Sequence, residues 1–271
     1  MIPQRCIIVA SGASVRQGMW NTQVKDLLLW NHLDSEFTLG ANWIFKYYIP
    51  TALLYIDHQF YIREKDNLAS LPLVFGLQNG YYSRAKIVKS TQFDTYYLHD
   101  NIYLLPHRKK EEIDDKVVQY HSINSWKKGF VAGLTGIMSL NFAIACGCQD
   151  IFLLGMDATE TNGRTHFYED EMLPTGKNED GGDSDSGIGK DKNGNFKTSI
   201  YNGGFKERFD VFKDELKRIN IYNVSLNSKI DTFPKISYEE FYKQLKKNPL
   251  HLSQDDIRKS ILKIYNENYL K

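Results

Sequence analysis

The residues best suited to chemistry in this chain gather in two glycine-containing stretches and at a few strand ends. The longer stretch runs from Gly133 to Asp157, GLTGIMSLNFAIACGCQDIFLLGMD. Gly133, Thr135 and Gly136 are small, so backbone N–H groups can approach a ligand at the start of the apolar run that follows. A helix start, with unpaired N–H groups and the positive end of the dipole, is a natural phosphate site. Asp157 closes the stretch as a candidate catalytic carboxylate, and with the small-residue loop it makes half of a candidate active site. The shorter stretch is CIIVASGAS, residues 6–14. Gly12 permits a tight turn, and Ser14 can cap the next helix or bind phosphate. It holds one glycine, so the dinucleotide fingerprint G-x-G-x-x-G is absent, and a plain strand–helix turn competes with the nucleotide reading. Asn42 follows GA and Asp57 follows LLYI. Asn or Asp at a strand end can hydrogen-bond a base or ribose, or simply cap a turn.

These residues need elements to position them. Arg5 to Ala10 is a β-branched run and reads as a first strand. Gln23 to Leu33 has helical spacing, and Glu36 to Leu39 and Ala52 to Ile56 read as the second and third strands. Leu71 to Phe75, Ala85 to Lys89, Thr95 to Leu98 and Asn101 to Leu105 are further strand-like pieces. The tyrosine-rich region 79–120 has no helical period and reads as edge strands or a loop-rich insertion. Ile137 to Ala145 is apolar on most faces, as expected of a helix sandwiched against a sheet. DIFLLG is a continuous apolar strand of the kind found in parallel sheets covered on both sides. Asp157 then falls at the carboxyl end of that strand, where open α/β sheets bind ligands.

After Asp157 the composition changes. Residues 174–204 are rich in Gly, Asp, Asn, Lys and Ser and cannot bury a core. A long polar loop directly after such a strand is a candidate lid. Its DSDSGIGKDKNG run lacks the glycine and glutamate spacing of a calcium-binding EF-hand loop. Phe205, Phe209, Phe212 and Leu216 predict an amphipathic helix over Gly204 to Ile219. Ile221 to Leu226 follows as a strand, an order that suits a crossover into a parallel sheet. Tyr238 to Lys247 and Asp255 to Tyr269 read as helices with solvated lysine faces, which leave contact with a membrane surface open. The expectation is an α/β fold, a mostly parallel sheet with helices on both faces and a mobile lid-like insertion. Residues 1–235 would form the nucleotide-binding domain, with the lid at about 158–204, and 236–271 a C-terminal helical extension.

Bulk properties narrow the function. The 271 residues carry 34 basic and 33 acidic side chains, net charge +1, which gives no support for bulk nucleic-acid binding. No apolar run reaches the roughly 20 residues that span a bilayer, and MIPQRCIIVA lacks a signal-peptide core, so a cytoplasmic protein without a transmembrane segment is expected. Cys6, Cys146 and Cys148 sit in apolar surroundings and read as buried reduced thiols. Two cysteines without a second pair do not make a metal site. His99, His107 and His121 lack ligand spacing, so no metal ligands are assigned.

The order of motifs resembles the bacterial sialyltransferases of glycosyltransferase family 42, which use CMP-sialic acid. It is similar also to a related family that includes the Maf flagellin-glycosylation factors and the 6-hydroxymethylpterin pyrophosphokinases. CIIVASGAS, SEFTLGAN and GLTGIMSLNFAIACGCQDIFLLGMD carry the resemblance, over roughly residues 5–60 and 130–226. It implies a Rossmann-like domain with a lid, holding a nucleotide sugar. Gly12 and Ser14 would lie against phosphate and ribose, and Asn42 would contact the nucleotide. Asp57 stands where that family has another Asn. Thr135 and Gly136 match the loop that receives nucleotide and sugar, and Asp157 matches a carboxylate that contacts ribose or sugar. The family's lid histidine, a general base, has no counterpart in IYNGGFKERF. His166, in RTHFYED, falls near a family tyrosine that helps the leaving phosphate and is the substitute candidate. Arg164, Tyr168 and Tyr201 are lid candidates for holding phosphate.

The resulting expectation is a sialyltransferase-like glycosyltransferase, with a nucleotide-sugar donor and a glycan or other hydroxyl acceptor, and no required cofactor. The alternatives are a pterin-type diphosphokinase, which would use ATP and Mg²⁺, and a non-catalytic nucleotide-binding protein. The sequence leaves an oligomer open.

Overall fold

The computed structural model describes residues 2–19, 29–78, 99–107, 125–130, 134–159, 167, 208–247 and 249–269. Its frame is set by short runs of residues that are apolar on both faces. Strands β1 (Arg5–Val9), β2 (Thr38–Ala41), β3 (Ala52–Tyr55), β4 (Val74–Gln78), β5 (Ile102–Pro106), β6 (Asp150–Leu154) and β7 (Asn220–Asn223) form one seven-stranded sheet. Every residue of β2 and β3 is buried, as are the last four of β1 and of β6. Strands that offer no face to water need cover on both sides, and every pairing in the sheet is parallel. The order is β5-β4-β3-β2-β1-β6-β7. The chain therefore winds outward from β1 to β5, returns to place β6 on the other side of β1, and ends at β7. The direction of winding reverses between β1 and β6. This is a doubly wound α/β fold of Rossmann-like type.

Two apolar layers cover the sheet. One contains α4 (Ser125–Lys128), α5 (Thr135–Ala145) and α7 (Gln254–Tyr269), through Trp126, Phe142 and Tyr265 among others. The other contains α1 (Val15–Met19), α2 (Leu29–Leu33), α3 (His58–Leu68) and α6 (Tyr238–Lys247), through Val15, Leu33, Tyr61 and Phe241. The two C-terminal helices thus pack on opposite faces of the sheet. Helix α5 is buried along ten of its eleven residues, which matches its apolar sequence. It stops where Gly147 takes φ +91°, with the Cys148 N–H bonded to the Ala143 carbonyl at 3.2 Å, the glycine-dependent helix ending. The Trp126 indole N–H closes the Ala145 carbonyl at 2.9 Å.

The amino edge of the sheet is locked by a buried ion pair. Arg5 at the start of β1 reaches Glu36, just before β2, with Nε at 2.9 Å and Nη2 at 2.5 Å. Burial pushes the Glu36 carboxyl above its ordinary value, against the opposing pull of Arg5. Gln254, at the start of α7, donates to the Glu36 carbonyl at 2.6 Å and accepts from the Thr51 hydroxyl at 2.5 Å.

Several element boundaries differ from the sequence reading. The region 204–219 is not one α-helix: among its described residues, two 3₁₀ turns, Arg208–Phe212 and Glu215–Lys217, are separated by Lys213 and Asp214. At three residues per turn Phe209 and Phe212 eclipse one another, so both can face the core from a tighter coil. The second strand begins at Thr38 because Glu36 is committed to Arg5 and to the turn after α2. The fourth begins at Val74, since the Leu71 N–H bonds Leu68 in the turn that ends α3. Strand β7 stops at Asn223, where the backbone turns to pair with Pro234 and Ile236. Helix α3 carries no strong sequence signal beyond Phe60, Tyr61 and Leu68. The strand-like pieces at 85–89 and 95–98, and the helical stretch at 23–28, lie outside the described residues. The three cysteines are free and buried. Burial, aided by the neighbouring Cys148, raises the Cys6 and Cys146 thiols well above their ordinary value. Such thiols are core groups and not nucleophiles. Among the described residues, no helix is long and apolar enough to cross a membrane.

Candidate functional site

The switch point between β1 and β6 opens at the carboxyl ends of both strands, the usual ligand crevice of this fold class. Past Val9 and Leu154 the two chains stay in register for a few residues. The Ala10 N–H bonds Leu154 at 2.8 Å and the Gly12 N–H bonds Gly155 at 2.9 Å. This approach depends on both glycines. A Cβ on Gly12 would lie 2.4 Å from the Gly155 carbonyl oxygen and 2.6 Å from Asp157 Oδ2. Gly155 takes φ +69°, and a Cβ there would lie 2.4 Å from the Ala10 oxygen.

The close approach brings Ser14 onto Asp157. The Ser14 N–H donates to Oδ2 at 2.8 Å and its hydroxyl donates to Oδ1 at 2.5 Å. Both residues are buried, with Asp157 at 4% exposure. Asp157 is fixed from behind as well: its carbonyl accepts from the Lys229 N–H at 2.8 Å and from the Ser228 hydroxyl at 3.2 Å. Asn223, at the end of β7, donates to the Met156 carbonyl at 3.0 Å. Ala158, the residue after Asp157, has φ +50°.

The second half of the site lies over β2. Helix α5 packs on β2, with lesser contact to β1 and β3, so its first turn comes to the carboxyl end of β2. There the Thr135 hydroxyl donates to Asn42 Oδ1 at 3.1 Å. Asn42 follows β2 directly and holds φ +51°, a conformation Asn tolerates better than most residues. The helix N-cap, Leu134, supplies no capping side chain to the first-turn N–H groups. Gly136 faces the loop after β6: a Cβ there would meet Met156 Cε at 3.0 Å and Sδ at 3.3 Å. The site is thus walled by the β1–α1 loop, the β6 loop and the start of α5.

Of the candidates, Gly12, Ser14 and Asp157 form one group, and Asn42, Thr135 and Gly136 surround the start of α5 beside it. Asp57 is exposed and precedes α3, where the Tyr61 N–H bonds its carbonyl at 3.3 Å. Arg164, His166, Tyr168 and Tyr201 lie outside the described residues, as does most of the stretch at 158–204 read as a lid. Phe167, between two of those candidates in sequence, is described and buried. Its N–H donates to the Ser11 carbonyl at 3.0 Å, its carbonyl accepts from Arg16 Nε, and its ring meets Tyr47 edge-on at 4.9 Å.

Sequence reasoning missed the residues that stand behind Asp157. Asn223 is the last residue of β7, whereas a strand over Ile221 to Leu226 places it in mid-strand and gives no signal of a role at the strand end. Tyr238 was read only as part of a helix. It is 7% exposed, with its ring against Gly18 in α1, and the Asp157 charge and the Ser14 side chain both act on its phenol. Burial first, then the Asp157 charge and Tyr242, push this phenol well above its ordinary value, against a smaller pull from Ser14. The Ser14 hydroxyl is committed to Asp157, and the Tyr238 hydroxyl makes no well-formed hydrogen bond.

No family model matches this chain, and no curated protein does. A solved structure similar to it is that of the sialyltransferase CstII from Campylobacter jejuni in complex with a substrate analogue, CMP-3FNeuAc. The two share 14% identity over 86% of each chain, with a TM-score of 0.40. At that level the chemistry of this site rests on its own residues.

Proposed function

We propose that this protein is a nucleotide-sugar-dependent glycosyltransferase of the sialyltransferase-like class, taking a CMP-linked donor and passing its sugar to a hydroxyl acceptor. The observation that carries the nucleotide reading is the buried Ser14–Asp157 pair at the β1–β6 switch point, beside the Asn42–Thr135 contact at the start of α5. A loop held by a carboxylate on one side and a helix start on the other suits a ligand with phosphate at one end and sugar hydroxyls at the other. The transfer reading comes from the sequence motifs at residues 6–14, 35–42 and 133–157.

In this reading the first-turn N–H groups of α5 stabilise negative charge on the phosphate of the departing nucleotide. Gly12 lets the β1–α1 loop approach the nucleotide, and Asn42 orients it. Asp157 holds that loop in place through Ser14. Arg164, Tyr168 and Tyr201 take the phosphate from the lid side. His166 removes the acceptor's proton. No metal is required.

Thermal-shift measurements against CMP, CDP, UDP, GDP and ATP, each with and without Mg²⁺, test this. Stabilisation by CMP without metal is the expected result. Stabilisation by ATP only with Mg²⁺ would favour a diphosphotransferase instead, and no response to any nucleotide would remove both enzyme readings. With a CMP-sugar donor, His166→Gln should keep nucleotide affinity while transfer to the acceptor is lost.

A further inference from the structure

Asp157 receives both hydrogen-bond donors of Ser14, so in this structure the Ser14 hydroxyl proton is given to that carboxylate. To donate instead to a phosphate or ribose oxygen, the Ser14 hydroxyl must give up that bond, which would strip a buried carboxylate of a donor. Tyr238 stands where a replacement is needed. Its ring lies on α1 at Gly18, where a Cβ would fall 2.2 Å from the ring's Cε1. Gly18 is four residues beyond Ser14, hence on the same face of that turn, so the ring runs along the side of α1 that carries Ser14. Tyr242 anchors the same face, donating its hydroxyl to the Gly18 carbonyl at 2.6 Å. The Tyr238 hydroxyl is one of only four buried side-chain polar atoms without a hydrogen-bond partner among the described residues. Asn223 Oδ1, beside Met156, is another. Buried unpaired hydroxyls disfavour the folded state, and they are uncommon enough to require a cause.

We infer that Tyr238 is a positioning residue that releases Ser14 to the nucleotide: when the Ser14 hydroxyl turns to a phosphate or ribose oxygen, the Tyr238 hydroxyl donates to Asp157 in its place. This rests on the nucleotide-binding reading above. Asp157 keeps two donors throughout, the Ser14 N–H and one hydroxyl, and no proton changes owner. In the empty site Tyr238 carries the unpaired hydroxyl; in the occupied site the Ser14 and Tyr238 hydroxyls are both paired. The exchange thus favours the nucleotide-bound state.

Tyr238→Phe removes the hydroxyl and keeps the ring on Gly18, so the variant is expected to fold. Two measurements decide its role: the melting temperature without ligand, and CMP affinity by calorimetry, both repeated in a Ser14→Ala background. The ligand-free melting temperature should stay level or rise, because an unpaired hydroxyl is lost. CMP affinity should fall about tenfold in the wild-type background and change less than about twofold beside Ser14→Ala. A lowered ligand-free melting temperature, unchanged CMP affinity, or an equal loss in both backgrounds would overturn the inference. Wild-type protein that binds no CMP would overturn the nucleotide reading itself and the inference with it, an outcome distinct from the others.

Discussion

The Ser14 backbone amide and hydroxyl bind opposite oxygens of the Asp157 carboxylate, at 2.8 and 2.5 Å, across 143 residues of chain. The pair joins the β1–α1 loop to the β6 loop at the point where the sheet reverses its winding. Asp157 in this structure therefore fixes its neighbouring loop, through Ser14 and beside Gly12.

That arrangement predicts the effect of Asp157→Asn. The amide has one acceptor oxygen for two Ser14 donors, and its NH₂ faces one of them. One buried donor is left unpaired, which costs about 1–3 kcal/mol of stability. CMP affinity should drop at least about tenfold, because the loop that holds Gly12 loses its anchor. Denaturant unfolding and calorimetry check both effects. A variant with wild-type CMP affinity would remove Asp157 from the site.

Gly12→Ala tests the close approach of the two loops. The new methyl group would meet backbone at Gly155 and the Asp157 carboxylate, neither of which is a flexible side-chain tip. The loops must separate, and the Ser14–Asp157 bonds lengthen with them. A loss of about 1–3 kcal/mol is expected, as for overpacking elsewhere, together with weaker CMP binding. An alanine variant with the wild-type melting temperature and CMP affinity would contradict the geometry.

Much of this was legible in the sequence, for a physical reason. Strands β1 and β6 announce themselves as apolar runs because parallel strands are buried on both faces, and Asp157 stands out as the first charge after one of them. The Gly147 helix ending and the small residues before α5 are local signals too. What the sequence hides is pairing at long range. Nothing near Ser14 says that its partner is Asp157, and nothing near Tyr238 says that Gly18 makes room for its ring. The stripe of Phe209, Phe212 and Leu216 failed differently: spacings of three and four residues suit an α-helix, and a spacing of three suits a 3₁₀ turn equally well. The structure has two such turns there.

The amino edge of the sheet supplies a control far from the site. Arg5→Met leaves the Glu36 carboxylate buried beside no cation, which should cost about 3 kcal/mol at neutral pH. The sign of its pH dependence follows from Glu36. Burial already raises this carboxyl in the folded protein, and loss of Arg5 removes the opposing pull and raises it further. A folded-state value above the unfolded one means that protonation favours folding, with the full benefit below the ordinary 4.5 and its loss as pH climbs through the raised value. The deficit of Arg5→Met relative to wild type should therefore shrink as pH falls from 7 toward 4.5. CMP affinity should stay unchanged. A deficit that grows on acidification would refute the assignment.

Gly136→Ala separates stability from binding. Alanine is the better helix former by up to about 1 kcal/mol, and its methyl group meets the flexible end of Met156, at 3.0 Å from Cε, with Phe209 Cζ at an ordinary 3.9 Å. The fold should accept the change with a melting temperature equal to or above that of wild type. The binding site should not. Met156 lies directly before Asp157 in the chain and its carbonyl is held by Asn223 and Ser228, so displacing its side chain disturbs the β6 loop that carries Asp157. CMP affinity is expected to fall about tenfold while stability holds or improves. If affinity and stability both remain at wild-type values, the start of α5 is not where the nucleotide lies.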